Sequence, residues 1–342
     1  MLLVCGPCSA ESFEQVYQTA QKLKDLGVDY FRAGLWKPRT RPGVFEGVKG
    51  KGLVWLKRIQ KDFNLKISTE VANPYMAELC QKNLFDSVWI GARTTQNPFI
   101  IEDIASCLSG TDMTVMVKNP LNPDVQLWLG AIERLEKHGI KNIVAVHRGF
   151  TLSYNKYRQT PLWRIPFELK RLRSDIPIIC DPSHIAGNVE YVQEIAITAI
   201  SIGFDGLMIE THINPSRALT DAKQQLDLNQ LSTLISSLPL INTKINSEDQ
   251  QLNLLRKQID DIDYSIIKAL SDRMAISRDI AKIKKKRNLA LFQSDRWREV
   301  MKIVSKNAEI SDLDIKFVHE LYELIHQESV KEQTLIINKS IN

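Results

Sequence analysis

Apolar residues along the first 240 positions alternate between two periodicities. Short β-branched runs predict buried strands, and the stretches between them, with apolar residues at three- and four-residue steps, predict amphipathic helices. The predicted strands are 2–5, 29–33, 66–70, 87–91, 114–118, 142–147, 176–181 and 206–210. The predicted helices are 13–26, 51–63, 74–82, 98–108, 123–138, 165–173, 189–202 and 222–237.

Eight strand–helix repeats in roughly 240 residues match the usual size of a (β/α)8 barrel. An open, doubly wound sheet is the alternative, but no Gly-x-Gly-x-x-Gly follows the first strand. We therefore predict an α/β fold with a TIM barrel over residues 1–240. The C-terminal strand ends of such a barrel meet at one rim, where catalytic side chains lie.

The pattern changes after residue 240. Residues 241–247 have little apolar periodicity and predict a linker, in which Ser247, with Gln250 three positions later, matches a capping box. Residues 248–342 predict an all-α domain. Its first helix, of nearly forty residues, would span roughly 55–60 Å, and two more helices are predicted near 294–307 and 311–337. So long an apolar stripe must be covered, which predicts a homodimer or a higher oligomer.

Composition and charge narrow the class of protein. The chain is 44% hydrophobic and 25% charged, with no apolar run of membrane-spanning length and no signal peptide at its start. Its five cysteines lack the spacing of a disulfide framework. We therefore expect a cytoplasmic protein without a membrane partner. The net charge of +5 suits anionic small molecules at least as well as nucleic acid, and acids around the basic run 284–287 argue against nucleic acid.

Four residues at predicted strand ends form a candidate metal site. They are Cys8, His184, Glu210 and Asp221. A thiol, an imidazole and two carboxylates together suit first-row divalent ions such as Mn, Fe, Co or Zn. The alternative is four unrelated residues that include a buried structural cysteine.

Cationic residues follow the predicted strands in unusual density. Six of them are Arg32, Lys37, Arg39, Arg93, Lys118 and Arg148. Six cations on one rim would repel one another unless anions neutralised them. The pattern predicts polyanionic substrates that carry two phosphates and a carboxylate, since guanidinium groups match both geometries. For any single one of these six residues, the alternative is an ordinary surface charge exposed to solvent.

The runs GPCSAES, FRAGLWKPRT, GARTTQNP, VKNP, HRGF, DPSH, IETH and TDAKQQL resemble the type I beta group of 3-deoxy-D-arabino-heptulosonate 7-phosphate (DAHP) synthases. The resemblance spans about residues 1–240. It implies metal binding by Cys8, His184, Glu210 and Asp221, phosphoenolpyruvate binding by Arg32, Arg93, Lys118 and Arg148, and erythrose 4-phosphate binding by Lys37, Arg39 and Thr40. The sister enzyme that uses arabinose 5-phosphate is less similar at positions 37–40.

The family's reaction is an aldol-like condensation followed by addition of water and loss of phosphate. Glu70 and Lys118 are two candidates for the group that orients the water. Many members carry an N-terminal hairpin or regulatory domain, whereas this chain starts almost at the first strand. Either the barrel floor is capped otherwise, or the start is truncated.

The runs LLRKQIDDID, LSDRMAISRDIAKIKK, SDRW and HQESVKEQ resemble the all-helical AroQ-type chorismate mutases over roughly residues 248–337. The resemblance implies that chorismate is converted to prephenate in a pocket lined by Arg256 from a partner chain and by Arg273, Lys284, Arg296, Ser329 and Gln333. Lys284 and Gln333 would hydrogen-bond the ether oxygen. The chain departs from the family at Trp297, where a carboxylate usually meets the ring hydroxyl, and at Gln293, which replaces a common acid.

Together the two resemblances predict a bifunctional enzyme of aromatic amino acid biosynthesis. Its helical domain would also sense chorismate or prephenate and inhibit the barrel. The alternative is a helical domain that only binds ligand and dimerises, without strong mutase activity because of Trp297.

The Lys37-Pro38-Arg39-Thr40 run generates the first prediction. Arg39 offers a bidentate fork to the phosphate of erythrose 4-phosphate, which alanine cannot replace. We expect Arg39→Ala to raise the KM for erythrose 4-phosphate at least tenfold and to leave the KM for phosphoenolpyruvate nearly unchanged in steady-state assays. Equal effects on the two constants, or better turnover of arabinose 5-phosphate by the unmodified protein, would contradict the assignment.

Overall fold

The computed structural model describes residues 1–39, 43–151, 156–239 and 250–338. The chain divides into two compact units, Met1–Thr243 and Lys244–Asn342, and each is described by itself. The predicted linker 241–247, with the proposed cap at Ser247, lies outside the described residues.

Eight parallel strands close into a barrel in chain order, which confirms the predicted fold class. The strands are β1 Leu2–Gly6, β2 Tyr30–Arg32, β3 Lys66–Val71, β4 Ser87–Ile90, β5 Thr114–Lys118, β6 Ile143–His147, β7 Ile178–Cys180 and β8 Gly206–Glu210. The barrel closes through β1 and β8, whose register pairs Leu2 with Gly206 and Gly6 with Glu210. Gly6 is required there, because its φ is +148° and a Cβ atom would lie 2.1 Å from Arg32 O.

Helices surround the barrel. They are α1 Phe13–Leu23, α2 Lys51–Phe63, α3 Pro74–Lys82, α4 Ala92–Thr95, α5 Pro98–Leu108, α6 Val125–Lys137, α7 Arg164–Leu172, α8 Pro182–Ala186, α9 Val189–Ser201 and α10 Leu228–Ser237. Short 3₁₀ helices span Lys24–Leu26, Pro215–Arg217 and Ala222–Gln224. The prediction of one helix over 222–237 was wrong at its start, because Asp227 forms a capping box with Gln230 and begins α10 anew.

Side chains alternate between the inside of the barrel and the layer beneath the helices, as strand geometry requires. The inner cluster contains Val4, Tyr30, Trp89, Met116, Val144, Val146, Ile179 and Met208. A residue two positions after an inner residue faces the same way. At the C-terminal end of a strand, such a residue therefore faces the mouth of the barrel. This rule places Arg32 after Tyr30 and Lys118 after Met116.

His147, the last residue of the predicted sixth strand, follows the opposite alternation. It lies two residues after Ala145, which belongs to the outer layer. Its ring packs against Trp163, with centroids 5.3 Å apart, and near Phe204 at 6.0 Å. Burial lowers the pKa of His147 to about 3, so it is a neutral core residue and does not belong to the site.

The second unit contains three helices, α11 Gln250–Lys286, α12 Ser294–Ile310 and α13 Ile315–Asn338. Both α11 and α12 pack against α13, and a small core of Val304, Ala308 and Val318 fills the contact. The third helix begins four residues later than predicted, because Asp312 adopts a left-handed backbone with φ +52° and Asp314 accepts a hydrogen bond from Phe317 N.

The N-terminal half of α11 carries the predicted apolar stripe, and this stripe is exposed to solvent in the described part of the helical unit. Leu255, Ile259, Ile262 and Ile266 are 50–59% exposed. None of the helices in the described ranges is both long and apolar enough to cross a membrane.

Candidate active sites

The four predicted metal ligands come together at the mouth of the barrel. The ligand atoms of Cys8, Glu210 and Asp221 all lie within 4.8 Å of one another. His184 approaches from the first turns of α8, and its Nε2 atom lies 3.8 Å from Glu210 Oε1. Four residues that are distant in sequence therefore share one small volume.

Local backbone structure holds Cys8 and Asp221 in place. The Cys8 amide donates a hydrogen bond to Gln225 Oε1 at 2.9 Å, and its thiol donates to Asp221 Oδ2 at 3.4 Å. Asp221 has a left-handed backbone, with φ +43°. Aspartate tolerates this conformation better than most residues, and such strain concentrates at functional sites.

Burial and charge set the protonation of this group. Burial, with the nearby Glu210 charge, raises the pKa of the Cys8 thiol to about 12, and burial lowers the pKa of His184. For Glu210, burial acts to raise the pKa, but the charges of His184 and Arg32 outweigh it and lower the pKa. The group therefore offers two carboxylates and an imidazole, beside a thiol that would lose its proton on binding a metal ion.

This donor set fits a divalent first-row metal ion. His184 Nδ1 lies 2.8 Å from Asp181 Oδ2, which leaves Nε2 toward the other ligands. An imidazole fixed by a carboxylate behind it is the usual arrangement of a histidine ligand. Lys37 Nζ lies 3.1 Å from Cys8 Sγ and places a positive charge at the edge of the group.

Three cations, Arg32, Lys118 and Arg148, are buried near the four candidate metal ligands. Arg32 Nη2 donates to Glu210 Oε1 at 3.0 Å, and its guanidinium lies 4.7 Å from the centroid of the Trp89 ring. Lys118 Nζ donates to Asp181 Oδ2 at 2.7 Å. Arg32 Nε and Nη1 and Arg148 Nη1 are buried and have no hydrogen-bond partner within the described ranges. These donors are available to a bound anion.

Three further cations, Lys37, Arg39 and Arg93, line a cavity of about 180 Å³. Lys118, Arg148, His184 and Asp221 line the same cavity. Arg93 Nη1 donates to Pro38 O at 3.0 Å, and Arg39 Nε donates to Phe45 O at 3.1 Å. All six predicted cations except Arg32 line this cavity, and Arg32 lies beneath it. Thr40 is outside the described residues.

Glu70, one of the two candidates for orienting water, also lines the cavity. Its carboxylate packs against Gly91, where a Cβ atom would come within 2.3 Å of Glu70 Oε1. Gly91 therefore leaves the space that this carboxylate occupies.

Sequence reasoning missed three residues of the site. Arg158 Nη1 lies 3.3 Å from Asp221 Oδ1 and donates to Gln224 Oε1 at 2.7 Å. Gln224 Nε2 donates to Glu210 Oε2 at 2.7 Å. Asp181 is fully buried between Lys118 and His184. Two of them left a signal, since Asp181 opens the Asp-Pro-Ser-His run from which His184 was chosen and Gln224 lies in the TDAKQQL run with Asp221.

The helical unit has a cavity of about 410 Å³ that contains five of the six residues predicted for it. They are Arg273, Lys284, Arg296, Ser329 and Gln333. Arg273 Nη1 donates to Ser329 Oγ, Lys284 Nζ donates to Leu291 O at 2.6 Å, and Gln333 Nε2 donates to Ser277 Oγ at 2.9 Å. Partial burial lowers the pKa of Lys284.

The sixth residue, Arg256, is exposed and does not line that cavity. It precedes Arg273 on the same helix by 17 residues, which corresponds to about 25 Å along the axis. Arg256 therefore cannot contribute to the cavity of its own chain, and its predicted place in a partner's pocket remains a prediction.

The two departures from the mutase pattern, Gln293 and Trp297, both line the cavity. Trp297 stacks on His326, with ring centroids 4.2 Å apart and planes inclined by 24°. His326 also lines the cavity, and sequence reasoning did not select it.

Sequence profiles of two families match this chain. The DAHP synthetase I family matches residues 1–245, and chorismate mutase type II matches residues 255–334. A phospho-2-dehydro-3-deoxyheptonate aldolase of Thermotoga maritima is 30% identical over 240 residues, which are 69% of this chain and 68% of the relative. A 2-dehydro-3-deoxyphosphooctonate aldolase of Helicobacter hepaticus is 27% identical, over 70% of this chain and 95% of the relative.

Solved structures are similar in the same region. The crystal structure of the Thermotoga maritima DAHP synthase aligns with a TM-score of 0.64 and 30% identity, over 69% of this chain and 67% of that one. A truncated form of that enzyme aligns with a TM-score of 0.62 and 28% identity, over 69% of this chain and 84% of that one. These matches show that the chain belongs to the DAHP synthetase I family and carries a C-terminal chorismate mutase type II domain.

Proposed function

We propose that the barrel condenses phosphoenolpyruvate with erythrose 4-phosphate and that the helical unit converts chorismate to prephenate. The observation that carries the first assignment is the group of Cys8, His184, Glu210 and Asp221, with Cys8 and Glu210 fully buried, directly beside cations with unpaired donors among the described residues. The observation that carries the second assignment is the cavity lined by Arg273, Lys284 and Arg296 together with neutral hydrogen-bonding groups.

In the barrel, Arg32, Arg93, Lys118 and Arg148 bind the phosphate and carboxylate of phosphoenolpyruvate. Lys37 and Arg39, with Thr40, bind the sugar phosphate from the outer wall. A bound divalent ion would supply Lewis acidity toward the aldehyde oxygen. The methylene carbon of phosphoenolpyruvate attacks the aldehyde carbon, water adds to the enol carbon, and phosphate leaves by carbon–oxygen cleavage. Glu70 and Lys118, which both line the cavity, are the two candidates for orienting that water.

Sequence similarity alone does not show which sugar phosphate is the substrate, because relatives named 2-dehydro-3-deoxyphosphooctonate aldolase also match the barrel. The choice of erythrose 4-phosphate rests on the Lys37-Pro38-Arg39-Thr40 run. Arg39 lines the cavity, and its Nε already donates to Phe45 O, which leaves the two terminal nitrogens for a phosphate.

In the helical unit, the reaction is a pericyclic rearrangement and requires no acid, base or nucleophile. Arg273 and Arg296, with Arg256 of a second copy, hold the two carboxylates in the reactive form. Lys284 and Gln333 hydrogen-bond the ether oxygen as charge accumulates there. A module that only binds ligand is the alternative, and the ultraviolet decay of chorismate with the full chain distinguishes the two.

A second copy of the chain also accounts for the exposed stripe of α11. Leu255, Ile259, Ile262 and Ile266 lie on one face and would lose their contact with water if the long helices of two chains packed together. The same arrangement would bring Arg256 of one chain to the cavity of the other, so we propose a homodimer through α11.

Asp181 joins the two halves of the barrel site. It accepts from Lys118 Nζ at 2.7 Å and lies 2.8 Å from His184 Nδ1, while its other oxygen accepts from His184 N at 3.1 Å and caps α8. The charges of His184 and Lys118 outweigh burial and hold the pKa of Asp181 well below its usual range. Asp181 is thus a positioning residue for both a metal ligand and a substrate-binding lysine.

We expect Asp181→Asn to weaken metal affinity by roughly 10–100-fold, the usual effect of losing a carboxylate behind a histidine ligand. The KM for phosphoenolpyruvate should also rise, because Lys118 loses its counter-charge, and the KM for erythrose 4-phosphate should change little. Metal titration and steady-state kinetics measure these effects. Asp124→Asn, which alters the exposed cap of α6, is the matched control. Unchanged metal affinity in Asp181→Asn would exclude the role.

A chelator should abolish synthase activity, and Mn, Fe, Co or Zn should restore it, whereas mutase activity in the same preparation should not respond. Cys8→Ser should abolish synthase turnover with the fold intact by circular dichroism. Cys5→Ser is the matched control, because Cys5 is equally buried but belongs to the outer layer. Full synthase activity in Cys8→Ser would remove Cys8 from the ligand set.

We propose further that prephenate or chorismate in the helical cavity inhibits the barrel. A coupling free energy of about 1–3 kcal/mol would change affinity by about 5–150-fold. Arg273→Ala should abolish mutase activity and inhibition together and leave the uninhibited synthase rate nearly unchanged. If prephenate inhibits Arg273→Ala at the concentrations that inhibit the unmodified chain, the sensing site lies elsewhere.

A further inference from the structure

The cavity of the helical unit has cations for the carboxylates and the ether oxygen of its proposed ligand, but it lacks the carboxylate that would accept a hydrogen bond from the ring hydroxyl. Trp297 occupies that position and has only an N–H donor. Two buried side-chain atoms of the cavity wall have no hydrogen-bond partner among the described residues, Gln333 Oε1 and His326 Nε2, and Gln333 is already assigned to the ether oxygen.

His326 supplies such an acceptor. It lies on α13 and lines the cavity with Arg273, Lys284 and Trp297. Its Nε2 atom is buried and has no hydrogen-bond partner among the residues that the structure describes. A buried polar atom without a partner costs free energy, and a bound hydroxyl would satisfy it.

Two aromatic contacts fix the orientation of the His326 ring. Trp297 covers one face, with centroids 4.2 Å apart, and Phe292 makes an edge contact with centroids 5.9 Å apart. Stacking leaves the ring edge, which carries the nitrogens, as the part able to meet a ligand. Trp297 thus holds the His326 ring in place on the cavity wall.

The charge of the cavity keeps this ring neutral. Burial lowers the pKa of His326, and the positive charges of Arg273 and Lys284 lower it further. A neutral imidazole carries one nitrogen that accepts a hydrogen bond, whereas a protonated ring would only donate.

We propose that His326, stacked on Trp297, accepts the hydrogen bond of the ring hydroxyl of chorismate and so determines the preference for a hydroxylated substrate. This assignment rests on the proposed mutase function and names the residue that recognises one substrate group in it.

The test compares chorismate with an analogue that lacks the ring hydroxyl, in the full-length chain. The unmodified protein should prefer chorismate by about 5- to 10-fold in kcat/KM, the range of one neutral hydrogen bond. His326→Phe keeps an aromatic ring against Trp297 but removes the acceptor, so its preference should fall to about 1. His326→Gln keeps an acceptor and should retain part of the preference. His326→Leu removes the nitrogen with a smaller side chain and provides a second test if the phenylalanine variant does not fold.

His319→Phe is the matched control, because His319 lies on the same helix but contacts Ser305 and does not line the cavity. It should keep the full preference. Retention of the preference in His326→Phe or His326→Leu, or its loss in Gln293→Leu instead, would overturn the proposal.

A failure of the mutase function itself gives a different result. In that case the unmodified chain does not turn over chorismate, and calorimetric titration of chorismate and the analogue measures the same preference from their affinities. Equal affinities in the unmodified chain would then contradict the role of His326, and a preference that His326→Phe abolishes would support it.

Discussion

Charge at the mouth of the barrel is buried in pairs of opposite sign, and the geometry of the whole site depends on this. Arg32 pairs with Glu210 and Lys118 pairs with Asp181, with all four side chains buried. A buried pair contributes little net stability, but loss of one partner leaves an uncompensated charge in the interior. In each pair the cation serves the proposed anionic substrate and the acid holds or forms part of the metal-ligand group. The two halves of the site are therefore fixed relative to each other before any ligand binds.

The closed barrel and most of its site could be predicted from the sequence, because both follow from strand periodicity. Strand ends predicted Cys8, Lys118 and Glu210 at the mouth of the barrel, and the structure brings these residues to that end. His147 also stands at a strand end, but proximity to a strand end does not say which face a side chain takes. The alternation with Ala145, which was available in the sequence, indicates the outer layer. Arg158 comes from an irregular segment, where no periodicity indicates which side chains meet. Gln224 lies in the TDAKQQL run with Asp221, but its hydrogen bond to Glu210 could not be read from that run.

In the helical unit, the sequence predicted helix positions more easily than the chemistry of the cavity. Arg273 and Lys284 lie at steps close to whole helical turns, so their common face was visible. His326 is one residue on another helix, and its importance depends on stacking with Trp297 across two helices. No spacing rule brings these two rings together. The substitution of Trp297 for an acid was visible, but its compensation required the tertiary structure.

The two cavities differ in the groups that lie beside their cations, and the difference follows from their proposed ligands. The barrel site must hold a cation together with phosphates, so it places carboxylates beside guanidinium groups. In the helical cavity, Arg273 and Lys284 donate to neutral partners, whereas Arg296 pairs with the exposed Glu299. A tryptophan at position 297 in place of the usual carboxylate makes this cavity more positive. This extra attraction acts on both carboxylates of substrate and product alike. Equal stabilisation of ground state and transition state strengthens binding without lowering the barrier. The substitution therefore favours retention of ligand over turnover, which is the property that the proposed sensing role requires.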